Sequence, residues 1–256
     1  GAVTGGSIGA IAMGNGALTT AGINQIAIGN KVLALGTSTI SIGDTSVANE
    51  KGAVSIGGGT RATGVEALAL VSANASSNYS IGIGAKAKAF GTAAIAIGDK
   101  SKALEDDAIA IGAEAEAEGL SSMAIGDSAL ANQINASAFG RSAKATGTSS
   151  VAIGTLSNAS AFNATAFGQS AFSNAVNASA FGTSAQATAE SAIALGTSTE
   201  ASGISSTAIG DSALANQINA SAFGRGAKAI GISSVAIGTL SNASAANATA
   251  FGQSAF

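Results

Sequence analysis

The chain has 256 residues, a formal net charge of −3, only 10% charged residues, and no proline, cysteine, histidine or tryptophan. These absences exclude a disulfide scaffold, thiol chemistry, a Cys/His metal site and every histidine-dependent triad, and the weakly acidic balance leaves no electrostatic footprint for nucleic acid. No apolar run is long enough to span a bilayer and no leader segment opens the chain, so it is expected to be a soluble piece of something larger, with no membrane contact of its own.

In chain order the first feature is a glycine that closes an apolar-small-apolar triplet: Gly14, then Gly29 after one added residue, then Gly43 and Gly57 at fourteen-residue steps. Val71 takes the next glycine's place, and only thirteen residues separate it from Gly84. From there the period is unbroken through Gly98, Gly112, Gly126, Gly140, Gly154, Gly168, Gly182, Gly196, Gly210, Gly224, Gly238 and Gly252. These eighteen registers leave no linker, so residues 1–256 form one array of coils, a solenoid. The departure at 71–84 predicts an irregular coil there, with a displaced or bulged loop over 71–81.

With the glycine as position zero, position 12 is always small and runs as alanine from Ala110 to Ala250, while position 13 is large and apolar. Position 10 is small as well (Ala108, Ser122, Ala136, Ser150), so this segment alternates as a strand with one uniformly small face. The second half of each repeat alternates too. Positions 3 and 5 are small (Ala115 and Ala117, Ala143 and Ala145), and positions 4 and 6 are mostly polar (Lys102, Glu116, Glu118, Asn132). Glycines at position 7, such as Gly91, Gly147, Gly203 and Gly231, together with those at zero, are expected to mark the two turns through positive φ. Each repeat is therefore a flattened coil of two strands whose small faces meet across a narrow interior.

The large side chains at positions 11 and 13 must then point outward. At about 4.8 Å per coil, eighteen coils give a rod of roughly 80 Å with an apolar stripe on the order of 800 Å², above the roughly 300–600 Å² that soluble monomers leave exposed. The stripe is expected to bury against copies of the same chain through Ile97, Ile111, Ile125, Phe139, Ile153, Phe167, Phe181, Leu195, Ile209, Phe223, Ile237 and Phe251. Volume compensates within it. Where position 11 is Ser137, Thr165, Ser179, Ser221 or Thr249, position 13 is phenylalanine; Thr207 with Ile209 is the exception.

Several other features carry candidate sites. Lys86, Lys100 and Glu114 fall at position 2 of successive coils and Lys88, Lys102 and Glu116 at position 4, so Lys100 should pair with Glu114 and Lys102 with Glu116. Lys86, Lys88, Lys100 and Lys102, with the apolar Leu130 and Phe172, form the candidate ligand surface. Phe90, Phe162 and Phe256 also lie off the interface column. Segments 121–172 and 205–256 match almost residue for residue, which is read as copying that lengthens the rod rather than as a selected epitope. The N-x-[ST] triplets at Asn135, Asn163, Asn177, Asn219 and Asn247 are read as turn asparagines followed by strand serine or threonine. The glycines at 57–59 lack the lysine of a phosphate loop.

The segments SVAIG (150–154, 234–238), AIAIG (94–98, 108–112) and NASAFG (135–140, 177–182, 219–224), in fourteen-residue phase, resemble the head repeats of trimeric autotransporter adhesins of the YadA-like type. The resemblance covers essentially the whole chain. It implies a left-handed parallel β-roll, a homotrimer, display on a stalk at the Gram-negative outer membrane, and binding to a host extracellular-matrix protein or cell-surface receptor. Both the hand and the number three come from the resemblance alone. It also implies a non-enzymatic protein without cofactors or catalytic residues, localised on the bacterial surface through anchoring parts of a parent protein. The alternative is a structural spacer without a ligand of its own. Hexapeptide-repeat enzymes repeat every six residues and use a histidine, and ice-binding solenoids need an ordered threonine array. This chain has neither pattern.

Overall fold

The computed structural model describes residues 1–20 and 22–256, which divide into two compact units, Gly1–Ser128 and Ala129–Phe256. Both are all-β, and no helix occurs among the described residues. In the first, strands alternate between two and three residues from Val3–Thr4 to Met123–Ile125; in the second they do so from Leu130–Ala131 to Thr249–Phe251. The three-residue strand is the apolar-small-apolar triplet, and the two-residue strand is positions 4 and 5. Each coil contributes one of each, so both units are parallel β-solenoids.

Pairing is parallel and in register at the repeat length. In the first unit Ile95–Ile97 pairs with Ile81–Ile83 on one side and Ile109–Ile111 on the other, and Lys88–Ala89 pairs with Lys102–Ala103. In the second, Val151–Ile153 lies between Ser137–Phe139 and Thr165–Phe167, and Lys144–Ala145 pairs with Asn158–Ala159. Every column of the repeat therefore becomes a ladder of like residues. Turn amides extend the ladders: Gly154 N–H donates to Phe139 O at 2.8 Å and Ser149 N–H to Ile134 O at 2.9 Å.

The interior is made of the four small columns. Ala108, Ala110, Ala115 and Ala117 are fully buried, as are Ala136, Ala138, Ala143 and Ala145, while their strand neighbours Ile109, Ile111, Ser137 and Phe139 are not. An alanine methyl contributes only about 0.8 kcal/mol on burial, so the core gains from the number of methyls and from the backbone ladders. Hydroxyls that enter it are satisfied locally. Ser55 Oγ donates to Thr60 Oγ1 at 2.7 Å, Thr60 Oγ1 to Gly57 O at 2.8 Å, and Ser150 Oγ accepts the Gly147 amide at 3.1 Å. Gln25 is the largest fully buried side chain, in the coil with the added residue; its Nε2 donates to Leu35 O and Gly36 O, each at 2.9 Å, and its Oε1 accepts from Ser7 Oγ at 2.7 Å.

The turns differ from the sequence expectation in one respect. Glycine at position zero does have positive φ, 125° at Gly154, and a Cβ there would lie 2.5 Å from the Gly168 carbonyl oxygen. Position 7 does not use positive φ. Its glycines are required by space, since a Cβ on Gly147 would sit 2.0 Å from Ala161 O and one on Gly203 2.0 Å from Gln217 O. The left-handed conformation falls instead on positions 2 and 9, occupied mostly by non-glycine residues such as Lys100 (φ 56°), Ser149 (φ 56°) and Asn163 (φ 53°). Serine and asparagine tolerate it through local polar contacts. The sequon asparagines Asn135, Asn177, Asn219 and Asn247 also sit at this turn position, with φ from 56° to 59°.

The break at 71–84 is smaller than the displaced loop expected for 71–81. Asn74–Ala75 pairs in register with Arg61–Ala62 and Lys88–Ala89, and Leu68–Leu70 pairs with both Val54–Ile56 and Ile81–Ile83. The missing residue is absorbed by the turn, where Val71 and Ser72 both have φ near 60°. A β-branched residue there is a steric outlier, held by the ladders above and below. Restoring the repeat glycine with Val71→Gly is predicted to stabilise the fold by about 1 kcal/mol, read from denaturant midpoints.

Interior width is tested by a pair of variants in one unit. Ala152→Leu, in the fully buried position 12, should destabilise by about 3 kcal/mol or prevent folding, whereas Lys144→Leu, exposed at position 4, should shift the thermal midpoint little. Similar losses in both would mean that the faces are reversed.

Candidate functional site

No pocket and no group of three or more metal-binding side chains is present among the described residues, and the large and charged side chains stand on the outside of the coils. Its chemistry follows from the columns that pleating turns outward: positions 11 and 13 of the three-residue strand, positions 4 and 6 of the other half-coil, and the turn residues.

The predicted interface column lies on the outward face throughout. Ile97, Ile111, Ile125, Phe139, Ile153, Ile209 and Phe223 are half-buried within a single chain, and Phe167, Phe181, Leu195, Ile237 and Phe251 are exposed. Stacking supplies part of the burial. Phe167 and Phe181, one coil apart, have ring centroids 6.3 Å apart with planes at 33°. Half of the Phe167 surface is nevertheless open. The column is an apolar face within each unit, half-buried to exposed among the described residues.

The candidate ligand residues separate. In the first unit Lys100 Nζ lies 2.7 Å from Glu114 Oε1 and 3.9 Å from Asp99 Oδ2, and Lys102 bonds Glu116. Both pairs join successive coils, as the ladder geometry required. The Glu114 hydrogen bond, aided by its charge and that of Asp99, raises the Lys100 pKa, and the reciprocal bond and charge lower that of Glu114. The Lys102 pKa is raised chiefly by its hydrogen bond with Glu116. Two of the four lysines are thus neutralised, and the expected basic patch contracts to Lys86 and Lys88, which have no carboxylate within 4.0 Å among the described residues. Lys88 Nζ instead stands 6.0 Å from the centroid of the exposed Phe90 ring.

In the second unit Leu130 pairs with Lys144 and Phe172 with Asn158, and Asn158 pairs with Lys144. Leu130 and Phe172 therefore share a column but stand three coils apart, about 14 Å, with polar residues between them. They are two isolated apolar points rather than one patch.

Two features were not read from the sequence. Leucines occupy the left-handed turn at Leu156 (φ 60°) and Leu240 (φ 58°), both exposed. Large apolar residues also recur, exposed, at position 8, the tip of the turn before the three-residue strand. The signal for the second was present in the same column alignment, but position 8 lies outside both strands, where alternation carries no information.

The depressed Glu114 carboxyl sets a pH prediction. Its contribution is present above the ordinary carboxylate range and is lost as the pH falls through its lowered folded-state pKa. By NMR titration, Lys100→Ala should move the Glu114 midpoint upward, toward the ordinary carboxylate range, while the thermal midpoint stays nearly fixed because both groups are solvated.

Against known families, the chain matches the YadA head domain repeat over residues 34–60, 75–101, 91–115, 117–143, 131–157, 145–171, 159–183, 173–199, 201–227 and 229–255. Among solved structures it is similar to the collagen-binding domain of the Yersinia adhesin YadA, at 29% identity and a TM-score of 0.38, covering 52% of this chain and 68% of that one. Comparison with curated proteins finds no match.

Proposed function

The chain belongs to the YadA head-repeat family, and on that premise we propose that it is the non-enzymatic head of a bacterial surface adhesin, three left-handed rolls closed into a homotrimer. The observation that carries the assembly is the outward column, Ile97 to Ile125 in the first unit and Phe139 to Phe251 in the second, in each a ladder of large apolar side chains with nothing of its own chain over it. At about 1.5–3 kcal/mol for each fully buried large apolar side chain, closing that face against copies contributes far more than typical folding stability. The proposed placement is the cell surface, with outer-membrane anchoring supplied by other parts of the parent protein.

The proposed ligand is a host extracellular-matrix protein or cell-surface receptor, met by the outward columns that the assembly leaves free. Three equivalent copies would add avidity to individually weak contacts. Lys86 and Lys88, without an ion-pair partner among the described residues, Lys88 standing over Phe90, are the strongest of the proposed contact residues, with Leu130 and Phe172 as separate apolar points. Lys100 and Lys102 contribute less because Glu114 and Glu116 already hold them.

The test is equilibrium binding of the intact protein to immobilised collagen, fibronectin and laminin and to epithelial cells. Binding is expected to at least one, and Lys86→Glu with Lys88→Glu should weaken it about tenfold at low salt, with the difference shrinking as salt rises. Unchanged binding in that double variant would move the contact to the apolar points. Absence of binding to all of them would favour the spacer reading, to which the duplication of 121–172 as 205–256 also lends weight.

A further inference from the structure

Position 8 follows a rule that ties it to the interface. In the second unit, a large apolar residue stands at position 8 where position 11 is small and polar: Ile134 before Ser137, Phe162 before Thr165, Val176 before Ser179, Ile204 before Thr207 and Ile218 before Ser221. Where position 11 is itself large, position 8 is generally polar, as in Thr148 before Val151 and Glu190 before Ile193, and in the first unit Thr92 before Ile95 and Asp106 before Ile109. Ile8 with Ile11, Ile23 with Ile26, Val65 with Leu68, Leu120 with Met123, Ile232 with Val235 and Ala246 with Thr249 depart from it. The rule also accounts for Thr207, whose layer lacks the compensating phenylalanine at position 13 but has Ile204. Residues that exchange volume in this way fill one packed layer. Within the chain that layer is incomplete, because these five position-8 side chains remain 41–51% exposed.

We propose that position 8 of the second unit is a second ridge of the contact between copies of this chain, each ridge packing against the neighbouring copy beside that copy's stripe. The proposal rests on the homotrimer reading and extends it. Closure around an axis gives each copy two neighbours. The nine coils of the second unit carry a stripe on the order of 400 Å², or about 200 Å² per contact, a quarter of the roughly 800 Å² that each partner gives to a standard interface. Ile134, Phe162, Val176, Ile204 and Ile218 supply apolar area along the edge where the stripe's own strand begins. A second copy is the occupant that fits, since the variation at position 8 tracks the column that the copies share. This assignment removes Phe162 from the candidate ligand anchors.

The chain has no cysteine, so single introduced thiols report directly on burial. The intact protein is prepared as Ile218→Cys and as Gln186→Cys, the latter on the exposed outward face at position 4 of the same unit. Alkylation rates are measured in the native state, normalised to each variant's rate in denaturant, with mass followed by light scattering. A trimer in which the thiol of Ile218→Cys reacts about tenfold or more slowly than that of Gln186→Cys supports the ridge. A trimer in which the two react alike overturns it while leaving the homotrimer reading intact. A folded monomer overturns both.

Discussion

The constraint on which everything else depends is the width of the space between the two strands of a coil. Apart from Gln25 and Val32 near the start of the chain, the interior holds only methyls, hydroxyls and hydrogens, which is why Ala108, Ala110, Ala115 and Ala117 are fully buried while Ile109 and Ile111 between and beside them are turned out. An ordinary β protein spends its large apolar residues on its own core. Here the core does not accept them, and in the proposed homotrimer hydrophobic burial is deferred from folding to association. In that reading the fold and the assembly are two halves of one energetic solution.

In-register parallel stacking turns every column into a ladder, and each ladder has its own physics. Small columns form the core, and apolar columns form a continuous face within each unit. Charged columns attract where the sign changes between coils, as Lys100 with Glu114 and Lys102 with Glu116 do, and repel where it does not, as at Lys88 beside Lys102. The same rule bears on the proposed ligand surface: stacked lysines are neutralised wherever an acidic residue follows one coil later, which holds Lys100 and Lys102 but not Lys86 and Lys88.

Much of this was legible in the sequence because the interior constraint acts on every repeat. Position 12 admits nothing larger than serine in eighteen registers, and that column alone separates inside from outside. What escaped reading lies in the turns. Serine, asparagine and lysine at positions 2 and 9 look like ordinary surface residues, yet they carry the left-handed conformation, while position-7 glycine answers to a carbonyl of the next coil rather than to φ. At Val71 the lost glycine and lost residue suggested a bulge, but ladder pairing on both sides exceeds the local strain and keeps the register. Position 8 belongs to neither strand, so alternation carries no information about it, and only the exposure of Ile134, Phe162, Val176, Ile204 and Ile218 marks it out. For the ligand candidates, residue type was informative but adjacency was not, since Leu130 and Phe172 share a column without touching.

The central claim, that a core too narrow for large side chains compels burial between copies, is tested most directly by sedimentation equilibrium of the intact protein across dilution. The account predicts a single species near three times the 24.0 kDa chain mass that persists through the micromolar range, with loss of β-structure accompanying any dissociation. A folded 24.0 kDa monomer, stable at micromolar concentration with its Ile and Phe columns open to water, would contradict it.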